Sequence, residues 1–200
     1  MALDYYLIDD AYLLVEEFAL HDDHTAAGID SAQWDGAAWH TPAESSRLIR
    51  ADRSLRVRVL DREEAEATFT RVGGGELPGE DDIRSRFGDR WTLPTDPPLD
   101  FGTSDARHYR VLFAGSLYSD DLTALASWLS PRPAEDPRVV GTGSSDGCTW
   151  ELRRIGGGVA WALDMTVPLT GIGIASTLLT NHRQAIRAQG LIPVTIERFA

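Results

Sequence analysis

The alternation of strand-like and helix-like apolar spacing along the chain predicts an α+β protein. Three observations carry this. Residues 107–114 alternate with period two, a pair of alternating segments flanks Gly156-Gly157-Gly158, and 175–189 is an amphipathic helix followed by a last alternating run.

In 107–114, Tyr109, Val111 and Phe113 alternate with His108 and Arg110, the period of a half-buried strand. Ser119 is placed to cap a helix whose first turn holds Asp120 and Asp121, where acids complement the helix dipole. Leu122, Leu125, Ala126 and Leu129 then recur at helical spacing until Pro131 and Pro133 end the pattern. The long connection 131–147 has room for an extra short strand at Val139-Val140.

Residues 148–155 and 159–165 form a predicted hairpin. Cys148, Trp150 and Leu152 share one face of its first strand; Trp161, Leu163 and Met165 share one face of the second. A two-residue turn at Gly156-Gly157 would set Trp150 opposite Leu163 and Leu152 opposite Trp161. The helix at 175–189 turns Ala175, Leu178, Leu179, His182, Ala185 and Ile186 inward, and Gly190 suits its C-terminal cap. In the last strand Ile192, Val194 and Ile196 alternate with Thr195 and Glu197. Pro193 cannot donate to a ladder, which predicts a sheet edge. The order β-α-β-β-α-β predicts that the C-terminal half is a ferredoxin-like sandwich.

The N-terminal half is expected to be a smaller mixed α/β segment packed against it. Residues 55–60 alternate Leu55, Val57 and Val59 with Arg56 and Arg58, a strand. Asp61 and Glu64 match a capping box for a helix running to about Val72, stopped by Gly73-Gly74-Gly75. Ile83 and Phe87 predict a short helix within 81–89. Residues 5–8 suit a strand, and 11–20 fit a helix with Ala11, Leu14, Val15 and Phe18 inward. The Pro/Gly-rich stretch 93–105 is the expected linker between an acidic segment, 1–92, and the domain 106–200.

Ordinary apolar and charged fractions, 42% and 25%, argue against wholesale disorder. No apolar run approaches the ~20 residues of a membrane span, and the N-terminus lacks the basic and small-residue features of a signal peptide. A single cysteine, Cys148, fits a reducing compartment, so the expected location is cytoplasmic. All nineteen basic residues are Arg, which reads as the codon bias of a high-GC, bacterial genome.

Charge is distributed unevenly. Residues 1–46 hold ten carboxylates and no Arg, whereas 47–200 carry twenty-one acids against nineteen Arg. That excess of acid disfavours nucleic-acid binding, which needs a basic face. The leading expectation is a non-catalytic protein-binding module, such as an immunity or inhibitor protein. It would dock a basic partner through Asp22, Asp23, Asp30 and Asp35, with Trp34, Trp39 and His40 as anchors.

The alternative is a small enzyme that is metal-dependent through His21 and His24, spaced i, i+3 with carboxylates between, or that works by acid/base chemistry. A third expectation is a homodimer-forming or small-ligand-binding ferredoxin-like module. No cofactor is predicted. Arg47, Arg50 and Arg53 are the basic concentration; they read as a solvated face, an anion site, or partners for the acidic segment.

Two motifs imitate known sites. Gly143-Ser144-Ser145-Asp146-Gly147 matches G-x-S-x-G, with Asp164 and His182 following in hydrolase order. The strand-like residues after it predict a hairpin loop instead. Gly171-Ile172-Gly173 lacks the last glycine of a dinucleotide fingerprint and reads as a helix entry.

Overall fold

The computed structural model describes residues 3–41, 43–94, 105–130 and 136–199. It is mixed α+β with two antiparallel sheets and five α-helices. The chain divides into two compact units, Met1–His21 with Ala26–Pro94, and Asp22–Thr25 with Thr95–Ala200. Most of the expected linker lies outside the described residues.

The first unit holds β1 (Asp4–Ile8), β2 (Tyr12–Leu20), β3 (Ala26–Trp34), β4 (Trp39–His40), α1 (Ala43–Ala51), β5 (Val57–Leu60), α2 (Arg62–Arg71), α3 (Glu80–Arg84) and β6 (Trp91–Thr92). Its sheet runs β4-β3-β2-β1-β5, with β6 also paired to β3. Residues 11–20, expected to be helical, are instead mainly strand β2. Asp9 and Asp10, both with positive φ, belong to a three-residue turn with Ala11 that pairs Ile8 with Tyr12 and Leu7 with Leu13. β2 lies inside the sheet and is covered on both faces, from Leu13 through Glu16. Its apolar positions therefore fall at i, i+3 and i+4 without a helix to require them.

One face of this sheet presents Tyr5, Leu7, Leu13, Val15 and Leu60 to Ala65 and Phe69 of α2, with Leu77 and Ile83 completing the cluster. α2 begins on the predicted capping box. Asp61 accepts from the Glu64 amide at 2.8 Å, and the Glu64 carboxylate accepts from the Asp61 amide at 3.0 Å. The other face carries Asp4, Glu16 and Ser31 in cross-strand register and packs with α1.

The second unit holds β7 (Ala106–Ala114), α4 (Ser119–Ala124), β8 (Val139–Ser145), β9 (Cys148–Ile155), β10 (Ala160–Pro168), α5 (Ala175–Arg187) and β11 (Ile192–Arg198). Its sheet order is β11-β7-β10-β9-β8. The extra strand anticipated at Val139-Val140 is β8. Ser119 is the first helical residue, not the cap, and the Asp121 carboxylate accepts from the Tyr118 amide at 2.7 Å. The helix is also shorter than its spacing implied, passing into a 3-10 turn over Leu125–Ser127.

The hairpin register differs from the expected one. Three glycines of positive φ and Val159 make a four-residue loop closed by Ile155 and Ala160. Leu152 therefore faces Leu163, Trp150 faces Met165, and Trp161 faces Arg154, whose guanidinium lies 5.6 Å from the indole centroid. The apolar face assignment survives, because the shift preserves the parity of the pleat. β11 is an edge strand with Pro193 at a bulge, so Thr195 is buried beside Ile196 and the simple alternation fails there.

Candidate functional site

His21-Asp22-Asp23-His24, the expected metal cluster, lies in the turn between β2 and β3, not at a helix end. His21 and Asp22 are exposed, and His24 adopts φ +70°. Asp23 is committed to local structure: it accepts from the Thr25 amide and hydroxyl at 3.1 and 2.6 Å and pairs with Arg198 at 3.1 Å. Among the described residues, no group of three or more His, Cys, Asp or Glu is placed to hold a metal ion.

The expected anchors form the β3–β4 hairpin. Trp34 and Trp39 are a registered pair with ring centroids 5.8 Å apart; Trp34 lies tilted against Phe69 at 5.1 Å and Trp39 stacks on it at 5.5 Å. Trp34 Nε1 donates to the Val72 carbonyl at 3.1 Å. Both indoles are half-buried against the α2 core, so they serve packing. Asp35 accepts from the Ala38 and Ala37 amides at 2.9 and 2.8 Å and meets His40 Nε2 at 2.7 Å. The Ala38 and Ala37 amides, then His40, hold its carboxyl at about 2.

The acidity of residues 1–46 is largely met by arginines from later in the chain. Glu16 is paired with Arg50 at 2.7 Å, Glu17 with Arg84 at 3.0 Å and Asp30 with Arg90 at 2.7 Å. Arg56 lies near Asp9 and Asp10, and Arg47 bonds Glu44. The pairing reading of the Arg47–Arg53 concentration therefore holds for Arg50, whose side chain is 3% exposed against 0% for Glu16. Burial opposes the Arg50 charge, yet the Glu16 carboxylate outweighs it, so its pKa is raised.

In the second unit, a groove of about 860 Å³ opens beside the β8–β9 hairpin. Trp150 Nε1 donates to the Trp128 carbonyl at 3.2 Å. A Cβ on Gly143 would lie 2.2 Å from that nitrogen and 2.4 Å from that carbonyl oxygen, so only glycine fits beneath the bond. Behind the indoles, the His182 ring sits 4.3 Å from Trp150 and 4.8 Å from Trp128. Its Nδ1 lies 2.7 Å from the Leu178 carbonyl, which can only accept, so Nδ1 carries the proton. Burial lowers the His182 pKa and favours the neutral ring.

The G-x-S-x-G segment is the β8–β9 hairpin, with Asp146 and Gly147 at positive φ in its turn; the Ser145 hydroxyl bonds Asp146 at 2.8 Å. Gly171-Ile172-Gly173 lies in a 3-10 turn that enters α5. Cys148 is fully buried, and burial followed by the nearby Asp146 charge raises its thiol pKa. Thiol reagents are expected to modify it far more slowly than free cysteine until denaturant is added. Reaction at the free rate in native buffer would contradict that placement.

Sequence reading missed the exposed acids around α2 and α3 and the groove. It offered pairing with the acidic segment as one reading of the arginines, but not the partner of Arg50, Glu16, which lies 34 residues away. Comparison of the chain with family models, curated proteins and solved structures finds no match.

Proposed function

We propose that the chain is a non-catalytic protein-binding module, working as an immunity or inhibitor protein does, whose first unit docks a basic partner. The observation that carries this is where acid remains unneutralised. The first unit holds eighteen carboxylates against ten arginines. Glu63, Glu76, Asp82 and Asp89, on and around α2 and α3, are exposed and make no ion pair among the described residues. Glu76 also lines a groove of about 720 Å³ with Arg62, Glu66, Thr70 and Leu77. Asp23, Asp30 and Asp35 are held in internal bonds, which supports α2–α3 as the docking surface of this reading. In the second unit, the strand order with helix α5 on the apolar face supports a ferredoxin-like sandwich carrying one additional edge strand, β8.

This reading expects a basic partner encoded beside this gene, and the test measures association with that protein. Reversing charge at Glu63, Glu76, Asp82 and Asp89 should leave unfolding unchanged and slow association at low salt. That difference should shrink as the Debye length falls from ~10 Å at 0.1 M to ~3 Å at 1 M. No complex, or an association rate unaffected by the reversal at low salt, overturns the reading.

A further inference from the structure

Only one of the two ring nitrogens of His182 is satisfied. Nδ1 donates to the Leu178 carbonyl at 2.7 Å, so Nε2 of the neutral ring is an acceptor. That Nε2 is buried and has no hydrogen-bond partner among the described residues. The residue is 8% exposed, with the Trp150 and Trp128 rings set steeply against it at 4.3 and 4.8 Å. A proton on Nε2 would turn this acceptor into a cationic donor that has left water and found no acceptor. An indole face attracts a cation, but it does not replace the hydrogen bonds a charge gives up on burial.

The charged side chains of the surrounding elements provide no counter-ion. On α5 the neighbours are Arg183 and Arg187, 1% and 5% exposed, so a protonated His182 would be a third buried cation of one helix. On β9, Glu151 and Arg153 alternate to the face away from Trp150, where Asp164 and Arg110 continue the register. Arg154 shares the Trp150 face but lies over Trp161, and burial keeps the Cys148 thiol neutral. β11 carries Glu197, in register with Arg110, and Arg198, paired with Asp23. The 3-10 turn Leu169–Ile174 before α5 and residues 122–130 around Trp128 contain no charged residue.

We propose that His182 is an acid-sensitive latch of the second unit. Neutral, it holds Trp128 and Trp150 against α5; protonated at Nε2, it parts them and breaks the bond from Trp150 Nε1 to the Trp128 carbonyl. Burial sets the ring below its ordinary value of 6.5, against a smaller opposing pull from the Leu178 carbonyl. Well above 6.5 the ring is neutral in the closed and opened forms alike, and pH has no effect through it. As pH falls below that value, the opened form takes up a proton that the closed form refuses, so opening grows until the closed form also titrates.

The experiment follows the full chain by NMR between pH 7.5 and 5. It reads the His182 ring nitrogens and the hydrogen exchange of the Trp150 indole N–H, scaled to a free indole at each pH. The ring should titrate below 6.5 with the proton of its neutral form on Nδ1. The scaled exchange should rise about tenfold by pH 5. His182→Phe, which keeps an aromatic ring but takes no proton, should abolish the rise, and His182→Gln is read beside it in case the phenylalanine variant does not fold. His108→Gln, at an exposed position of β7, should leave the rise intact. A ring that titrates at or above 6.5 overturns the proposal. So does exchange that stays flat to pH 5, or an equal rise in the His182 variants.

Discussion

Replacing Arg50 with methionine is expected to destabilise the protein by about 3–5 kcal/mol, the cost of leaving a buried charge without its partner. Arg50 and Glu16 are joined by two parallel bonds, Nη1 to Oε1 at 3.0 Å and Nη2 to Oε2 at 2.7 Å, and Nη1 also donates to the Ser46 carbonyl at 2.6 Å. The Trp91 ring lies 5.6 Å from the guanidinium carbon. Lysine cannot reproduce that fork, so Arg50→Lys should recover little. Asp4, fully buried and in register with Glu16, shares the field of the same arginine. Arg50→Met with Glu16→Leu should therefore recover only part of the loss, because buried Asp4 still loses the attraction of the guanidinium. A double-mutant cycle by urea unfolding separates these contributions. A cost below about 1 kcal/mol for Arg50→Met would mean that water reaches the pair.

The same pair shows where the sequence stopped being informative. Features made by residues close in the chain were legible: the Asp61/Glu64 capping box, Gly190 at positive φ after α5, and the hairpin around Gly156-Gly157-Gly158. Their signals are local, a side chain bonding a backbone group three residues away or a glycine taking a conformation others avoid. The interior strand β2 was not legible, because burial on both faces erases the alternation that marks a strand. On α5, Arg183 and Arg187 are 1% and 5% exposed, so the buried stripe is wider than its apolar residues imply.

Charge was legible as a total and misleading as a location. Ten acids without a basic residue in the first 46 positions implied one acidic surface. Folding brings Arg50, Arg84 and Arg90 to Glu16, Glu17 and Asp30, while Asp22 and the acids of α2 and α3 stay exposed. The groove had no linear signature either, since it joins Trp128 to a hairpin more than a dozen residues later. Its serines and threonines were visible only as an imitation of a hydrolase motif.

Trp161→Ala should cost about 3–5 kcal/mol, the range for removing a large aromatic side chain from a core. Trp161 is 2% exposed, sits opposite Phe113 on β7, and shares its face with Leu163 and Met165. Its Nε1 has no hydrogen-bond partner among the described residues, so no hydrogen bond contributes to its stabilisation. Trp161→Phe should then cost much less than the alanine variant, since no bond is lost with the indole nitrogen. Trp150 provides the contrast. Its Nε1 donates to the Trp128 carbonyl, so Trp150→Phe also leaves that acceptor without its donor, adding about 1 kcal/mol or more. Denaturant midpoints of the two phenylalanine variants decide the matter. Equal losses would show that the Trp150 bond adds no net stability, and a loss below about 1 kcal/mol for Trp161→Ala would place that indole at the surface.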